Sequence, residues 1–275
     1  MEVRKVRRLH ALCGCLLLCG LHFCAPTQTA KGFNGRTIKV LTLEDGVPFT
    51  MGQTNSWRII YPAMGAKKFT FNYVQSYPGD EFPQHVHGSS DDTFLILRGE
   101  VDVRQGDVRR RLPTGHAAFV PGGQIHGTIT TGNGEAIAIS FQAPPDYRLY
   151  TGERDSSKSG TEAPKGIITP GAVQLMEFQN KNGEFIHPGI GSNRISVSHR
   201  KLKVNEEFIA EFPSDGEGLL FVWQGAISVR DQARTFSVAE KALLFAAQAG
   251  NLEVTNAGPE EAIVIEIKSL PSWAE

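Results

Sequence analysis

Beyond residue 24 the chain has no cysteine; its four, Cys13, Cys15, Cys19 and Cys24, all lie close to the N-terminus. Whatever folds after them can hold no disulfide, so even in an oxidising compartment the fold must rest on core packing. Long amphipathic helical patterns are missing as well. So is any excess of positive charge, since 28 Lys and Arg stand against 29 Asp and Glu for a net charge of −1. Proteins that track nucleic acid need a basic face, and that class of partner is set aside. No apolar run reaches the roughly twenty residues that a spanning helix requires; the longest, Ala11 to Ala25, has about fifteen.

That run has a different use. Arg4, Lys5, Arg7 and Arg8 precede it, and it is leucine-rich and uncharged, which is the order of regions in a secretory signal. We therefore expect residues 1–30 to be a signal peptide, cleaved between 25 and 31, and the protein to be secreted or periplasmic with no integral membrane span. No cysteine follows a well-formed lipobox.

About 245 residues remain, enough for one large or two small domains. Glycine and proline are frequent, and short apolar alternations recur between them, which reads as an all-β chain. Candidate strands are Lys68 to Gln75, Thr93 to Leu97, Glu100 to Arg104, Ala117 to Val120, Gly127 to Thr131 and Ala136 to Phe141. Between Thr151 and Lys165 the composition turns to Gly, Ser, Thr, Glu and Lys without apolar periodicity, the mark of a linker or exposed loop.

After that stretch the pattern repeats. Phe94 to Arg104 is echoed by Leu219 to Arg230, and Ala136 to Phe141 by Ala262 to Ile267, at an offset of about 126 residues. Internal duplication explains this economically. The expected organisation is a signal peptide at 1–30, an N-terminal domain at 31–150, a linker at 151–168 and a C-terminal domain at 169–275.

The chemistry is concentrated in the first copy. Pro83-Gln84-His85-Val86-His87 leads through Gly88 and Ser89 to Asp91 and Asp92, and is answered by Pro121-Gly122-Gly123-Gln124-Ile125-His126. Side chains two apart on a strand share a face, so His85 and His87 project together. A carboxylate and a third imidazole from neighbouring strands can then complete a metal site. A lone H-x-H pair reads more simply as two histidines bonded to backbone; the ordered second motif favours the metal.

At these residues the chain resembles the cupin superfamily. Its first motif runs from a glycine through H-x-H and a glutamate to another glycine, matched from Gly79 to Gly99, and its second runs from glycine through P-x-G to a histidine, matched from Gly115 to His126. Two positions depart: Asp92 stands for the glutamate and Thr130 for a final asparagine. The resemblance implies two tandem cupin barrels, each a double-stranded β-helix or jelly roll. It also implies one divalent transition metal ion (Fe, Mn, Ni, Cu or Zn) on His85, His87, Asp92 and His126, donor types that do not select among these metals. Asp91 has the opposite parity and should point away. In the second copy the ligand positions fall at Glu211, Pro213, Gly218 and Asn251, a set that does not bind such an ion in the same way, so only the first domain should be metallated.

If Asp92 faces inward, so do Phe94, Ile96 and, at the strand's end, Arg98; if His126 does, so do Gln124 and Thr128. Phe71 and Tyr73 are candidate inward aromatics, and Tyr73, Phe94 and Gln124 are the expected substrate contacts. His116, His187 and His199 have no matched partners and read as structural. An apolar pocket with a metal at its floor suits a small molecule with coordinating oxygens. The resemblance extends to the quercetin dioxygenase group of two-domain cupins, which implies a metal-dependent oxidoreductase or dioxygenase acting on a small oxygenated or aromatic compound, with Asp92 as both ligand and catalytic base. The alternatives are a non-enzymatic small-molecule-binding or storage cupin and a metal-dependent isomerase or hydrolase. Self-association into a homo-oligomer is compatible with every reading.

Overall fold

Glycine turns cut the apolar alternation into short strands throughout. The computed structural model describes residues 36–147 and 166–271, residue 233 excepted. The expected signal peptide and most of the expected linker lie outside the described residues.

The strands up to the linker are β1 Thr37–Leu41, β2 Val47–Met51, β3 Thr54–Ile60, β4 Phe71–Ser76, β5 Glu81–His85, β6 Asp91–Arg98, β7 Glu100–Gln105, β8 Val108–Pro113, β9 His116–Val120, β10 His126–Thr130 and β11 Ala136–Ala143. After it come β12 Gln174–Glu177, β13 Gly183–Ile186, β14 Ile195–Leu202, β15 Glu207–Glu211, β16 Glu217–Gln224, β17 Ile227–Asp231, β18 Arg234–Val238, β19 Leu243–Ala247, β20 Asn251–Asn256 and β21 Ala262–Ser269.

These strands make four sheets, two for each copy. The first half has a seven-stranded sheet ordered β12-β9-β6-β11-β4-β3-β2 facing a four-stranded sheet ordered β5-β10-β7-β8. The second has a six-stranded sheet, β1-β19-β16-β21-β14-β13, facing another of four, β15-β20-β17-β18. All strand pairings in them are antiparallel. Each jelly roll is an open pair of sheets rather than a closed barrel.

The duplication is visible in the turns. Gly99 and Gly225, 126 positions apart, both adopt positive φ (77° and 79°), and a Cβ at Gly99 would lie 2.5 Å from the carbonyl oxygen of Glu135. Only glycine reaches that conformation without strain.

Sheet membership crosses the boundaries expected at 150 and 169. β1, from the N-terminal side, pairs with β19 of the second half, and β12, from beyond the linker, pairs with β9 of the first. Each half thus lends a strand to the other, and Lys31–Glu275 is one compact unit.

Three apolar cores follow from strand parity. Along β6, Phe94 and Ile96 join the core between the two sheets of the first half, while Leu95 and Leu97 turn to the opposite face. That opposite face packs on the six-stranded sheet of the second half: Phe71 lies 5.9 Å from Phe141 and 5.4 Å from Phe221, and Phe69 lies 6.3 Å from Phe245, between ring centroids. Burying each of these phenylalanines stabilises by roughly 1.5–3 kcal/mol. Phe71, expected inside the first half, therefore belongs to the seam between halves. Two acids at the starts of corresponding strands tie the same seam. Asp91 meets Arg194 at 3.2 Å, and Glu217 accepts the backbone N–H groups of Lys67 and Lys68 at 2.6 and 3.0 Å. Asp91 and Glu217, like Lys68 and Arg194, stand 126 positions apart.

Candidate metal centre

β5 and β10 are neighbours in the small sheet of the first half, and their register sets His85 directly opposite His126. His87 follows two residues past the last residue of β5, and it still converges: the ring centroids of His85 and His87 are 4.8 Å apart and those of His85 and His126 are 4.3 Å apart. Asp92 comes from β6, on the facing sheet. The four side chains offer donor atoms that all lie within 4.8 Å of one another.

The nitrogens facing away from the centre decide what the centre can hold. His85 Nδ1 lies 2.9 Å from the carbonyl oxygen of Pro83 and His126 Nδ1 lies 3.1 Å from that of Gln124. A carbonyl can only accept, so Nδ1 carries the proton in both rings and Nε2 presents a lone pair. His87 Nδ1 faces the Asp146 carboxylate at 3.4 Å, with the same consequence. Inside, His85 Nε2 is 3.1 Å from His87 Nε2, and Asp92 Oδ2 is 3.1 Å from His126 Nε2 and 3.8 Å from His87 Nε2. Three lone pairs and a carboxylate, most of them buried, repel one another unless a cation stands between them. At bond lengths of about 2.0–2.2 Å, a divalent transition metal sets adjacent donors about 3 Å apart. The donor set fits such an ion. Asp92 Oδ1 is buried with no hydrogen-bond partner, a cost that a cation at the centre reduces.

The centre opens on a cavity of about 70 Å³ between the two sheets, lined by Phe82, Phe94, Ile96, Val101, Ala138 and the hydroxyls of Thr128 and Ser140. Of the expected substrate contacts, Phe94 lines this cavity. Tyr73 does not: it turns to the opposite face of β4 and packs edge-on against Trp57 at 6.0 Å, and burial raises its phenol pKa. Its neighbours Val74 and Ser76 face the cavity instead, so the parity assigned to β4 was shifted by one. Gln124 is also elsewhere. It precedes β10, where strand parity does not apply, and its amide exchanges hydrogen bonds with Thr169 at 2.9 and 3.2 Å. Arg98 ends its strand exposed, paired with Glu135. Asp91 points away, as its parity requires. Burial raises its pKa, while the Gly122 N–H and Arg194 oppose the shift.

Two residues at the centre escaped the sequence reading. Gln142 lies opposite Asp92 on β11, its Nε2 3.2 Å from His87 Nε2 and its Oε1 buried without a partner. The inward alternation of β11 was the available signal. Asp146 lies beyond β11 and has no motif position to mark it.

The Cupin_2 family, described as a cupin domain, matches residues 72–141. No curated protein matches the chain by sequence. Among solved structures, bacterial pirin YhhW from Escherichia coli, in complex with nickel(II), is similar with a TM-score of 0.64 at 12% identity, over 86% of this chain and 100% of its own. Protein Ylba from E. coli gives 0.66 at 13% identity, over 90% and 97%. Oxalate decarboxylase of Bacillus subtilis, whose Mn(II) centres that structure addresses, gives 0.63 at 13%, over 90% and 81%. At such identities the likeness is one of fold.

Proposed function

Because residues 72–141 match the cupin domain family and the described residues carry one converging donor set, we propose that the chain is a metal-dependent oxidoreductase acting on a small oxygenated or aromatic compound. The observation that carries the reading is the inward lone pairs of His85, His87 and His126 beside Asp92, at the end of an apolar cavity. These four residues would hold one divalent ion; a bound ion of this kind supplies a Lewis acid and, where it is redox-active, a route for electrons to dioxygen. Such an ion, if bound, would have its charge offset by Asp92 and, behind His87, by Asp146, and would favour a substrate that binds through an oxygen. Phe94 and Ile96 hold the carbon skeleton and exclude water. Asp92, which lines the cavity, accepts the proton that the substrate oxygen gives up.

At about 70 Å³ the cavity takes only a few heavy atoms, since one water's share of liquid is about 30 Å³. A three-ring flavonol does not fit wholly inside, and the substrate presents a small oxygen-bearing end. That size supports a second reading, non-oxidative cleavage of a small acid, for which the decarboxylase of similar fold is the precedent. The test is metal analysis of the purified protein, followed by oxygen uptake and CO2 release on a size-graded panel of oxalate, catechol and quercetin. Oxygen uptake with one metal per chain supports the first reading. CO2 release without oxygen uptake supports the second, and occupancy without any turnover favours a binding protein. Asp92→Asn keeps an oxygen donor and removes the basicity, so retained metal with lost turnover is expected, and unchanged turnover overturns the base role. Export is proposed on the basic start and the uncharged run Ala11 to Ala25; intact Met1 on protein from its native host would overturn it.

A further inference from the structure

Outside the metal centre, a larger cavity of about 270 Å³ lies where the two large sheets part at one end of their shared core. His199 and Lys201 share a face of β14, opposite Ile265 and Ile263 of β21. Trp223 of β16 and Phe178 complete the aromatic walls, and Leu97 contributes from the first half. A simple packing gap between sheets is apolar. This one carries an ammonium group, Lys201, with no ion pair to it among the described residues. It also carries a buried imidazole. His199 Nδ1 donates to the carbonyl oxygen of Lys181 at 2.8 Å, so Nε2 is the acceptor. Burial lowers the His199 pKa, Lys201 adding to the effect while the Lys181 carbonyl and Glu261 oppose it, and the ring is kept neutral. Phe178 stacks on Phe185 at 5.1 Å and leans on His199 at 5.5 Å, which fixes both rings.

We propose that this cleft is a second ligand site, taking a small planar aromatic carboxylate that bears a hydroxyl or N–H donor. The carboxylate pairs with Lys201, the ring lies against Trp223, and the donor meets His199 Nε2. A volume of about 270 Å³ corresponds to about nine waters at about 30 Å³ each, the scale of a single substituted ring.

Titration calorimetry with 3-hydroxybenzoate, whose hydroxyl is free to donate, on the full chain tests this, with His85→Ala run in parallel to remove the metal centre from the measurement. His85→Ala should bind one molecule per chain, and the natural chain should bind at least that one. Lys201→Met keeps the aliphatic stem and should weaken binding at least tenfold, as should Trp223→Leu. Cyclohexanecarboxylate, which has the charge without the planar ring, should bind at least tenfold more weakly. No binding at millimolar concentration, unchanged affinity in Lys201→Met, or loss of binding in His85→Ala would each overturn the proposal.

Discussion

Where His85 faces His126 across two strands of the first half, Glu211 faces Asn251 at the same register point of the second. Where Asp92 enters the first interior from β6, β16 has Gly218, and the reason is steric: a Cβ there would lie 2.1 Å from the ring of Phe212. Phe212 fills the volume that the first half gives to its donors, and it joins a core of Leu220, Val222, Val229, Leu252 and Val254. The corresponding core of the first half is smaller and borders the cavity. Converging lone pairs and an unpartnered carboxylate oxygen cost stability, while close packing of apolar groups supplies it. One copy thus keeps the donor cluster while the other, clasped to it by exchanged strands, is filled with apolar side chains.

The comparison breaks most completely at the donors. His85→Ala or His126→Ala should abolish metal retention, read by elemental analysis, and leave folding intact, because the metal adds to an apolar core; the natural chain should hold close to one ion. Metal near two per chain would erase the distinction between the halves. Phe212→Ala should destabilise by about 3–5 kcal/mol through the cavity it opens, measured by urea unfolding. Gly218→Asp should also destabilise, and should recruit no second metal.

Asp146→Asn sharpens the comparison at the first centre. It removes the charge that orients His87, and metal affinity should fall about 10–100-fold in a competition titration. The smallest effect is expected at Glu217. Burial raises its pKa, with the Lys67, Lys68 and Phe69 N–H groups opposing, so the folded state holds the proton more tightly than the unfolded one. The resulting stability is complete below the ordinary value of 4.5 and is lost as pH rises through the raised one. Relative to Glu217→Gln, which cannot ionise, the natural chain should lose stability in urea titrations as pH is raised from below the ordinary value of 4.5.

The convergence of His85, His87, Asp92 and His126 was legible because motif spacing and strand parity both point to it. Asp92, Phe94 and Thr128 follow from period-two alternation once one inward residue is known. The same rule misplaced Tyr73, since both faces of β4 are buried and alternation carries no polarity signal there; it misplaced Gln124 because the residue lies before its strand. Gln142 and Asp146 act through tertiary position alone. The offset of 126 was readable from the paired segments, but the strand exchange was not, because nothing in β1 or β12 marks which sheet each will join.

That exchange changes what covalent continuity means in this protein. The backbone between 148 and 165 is one connection among several, since β1 stays paired with β19 and β12 with β9 whether or not it is whole. A chain severed there should migrate on gel filtration as the intact protein does and separate into two fragments only in denaturant, whereas trimming the N-terminus past Leu41 should weaken the half farthest away in sequence. In that sense the molecule is a dimer written as a single polypeptide, and a one-copy version would be left with unpaired strand edges until it met a second copy of itself.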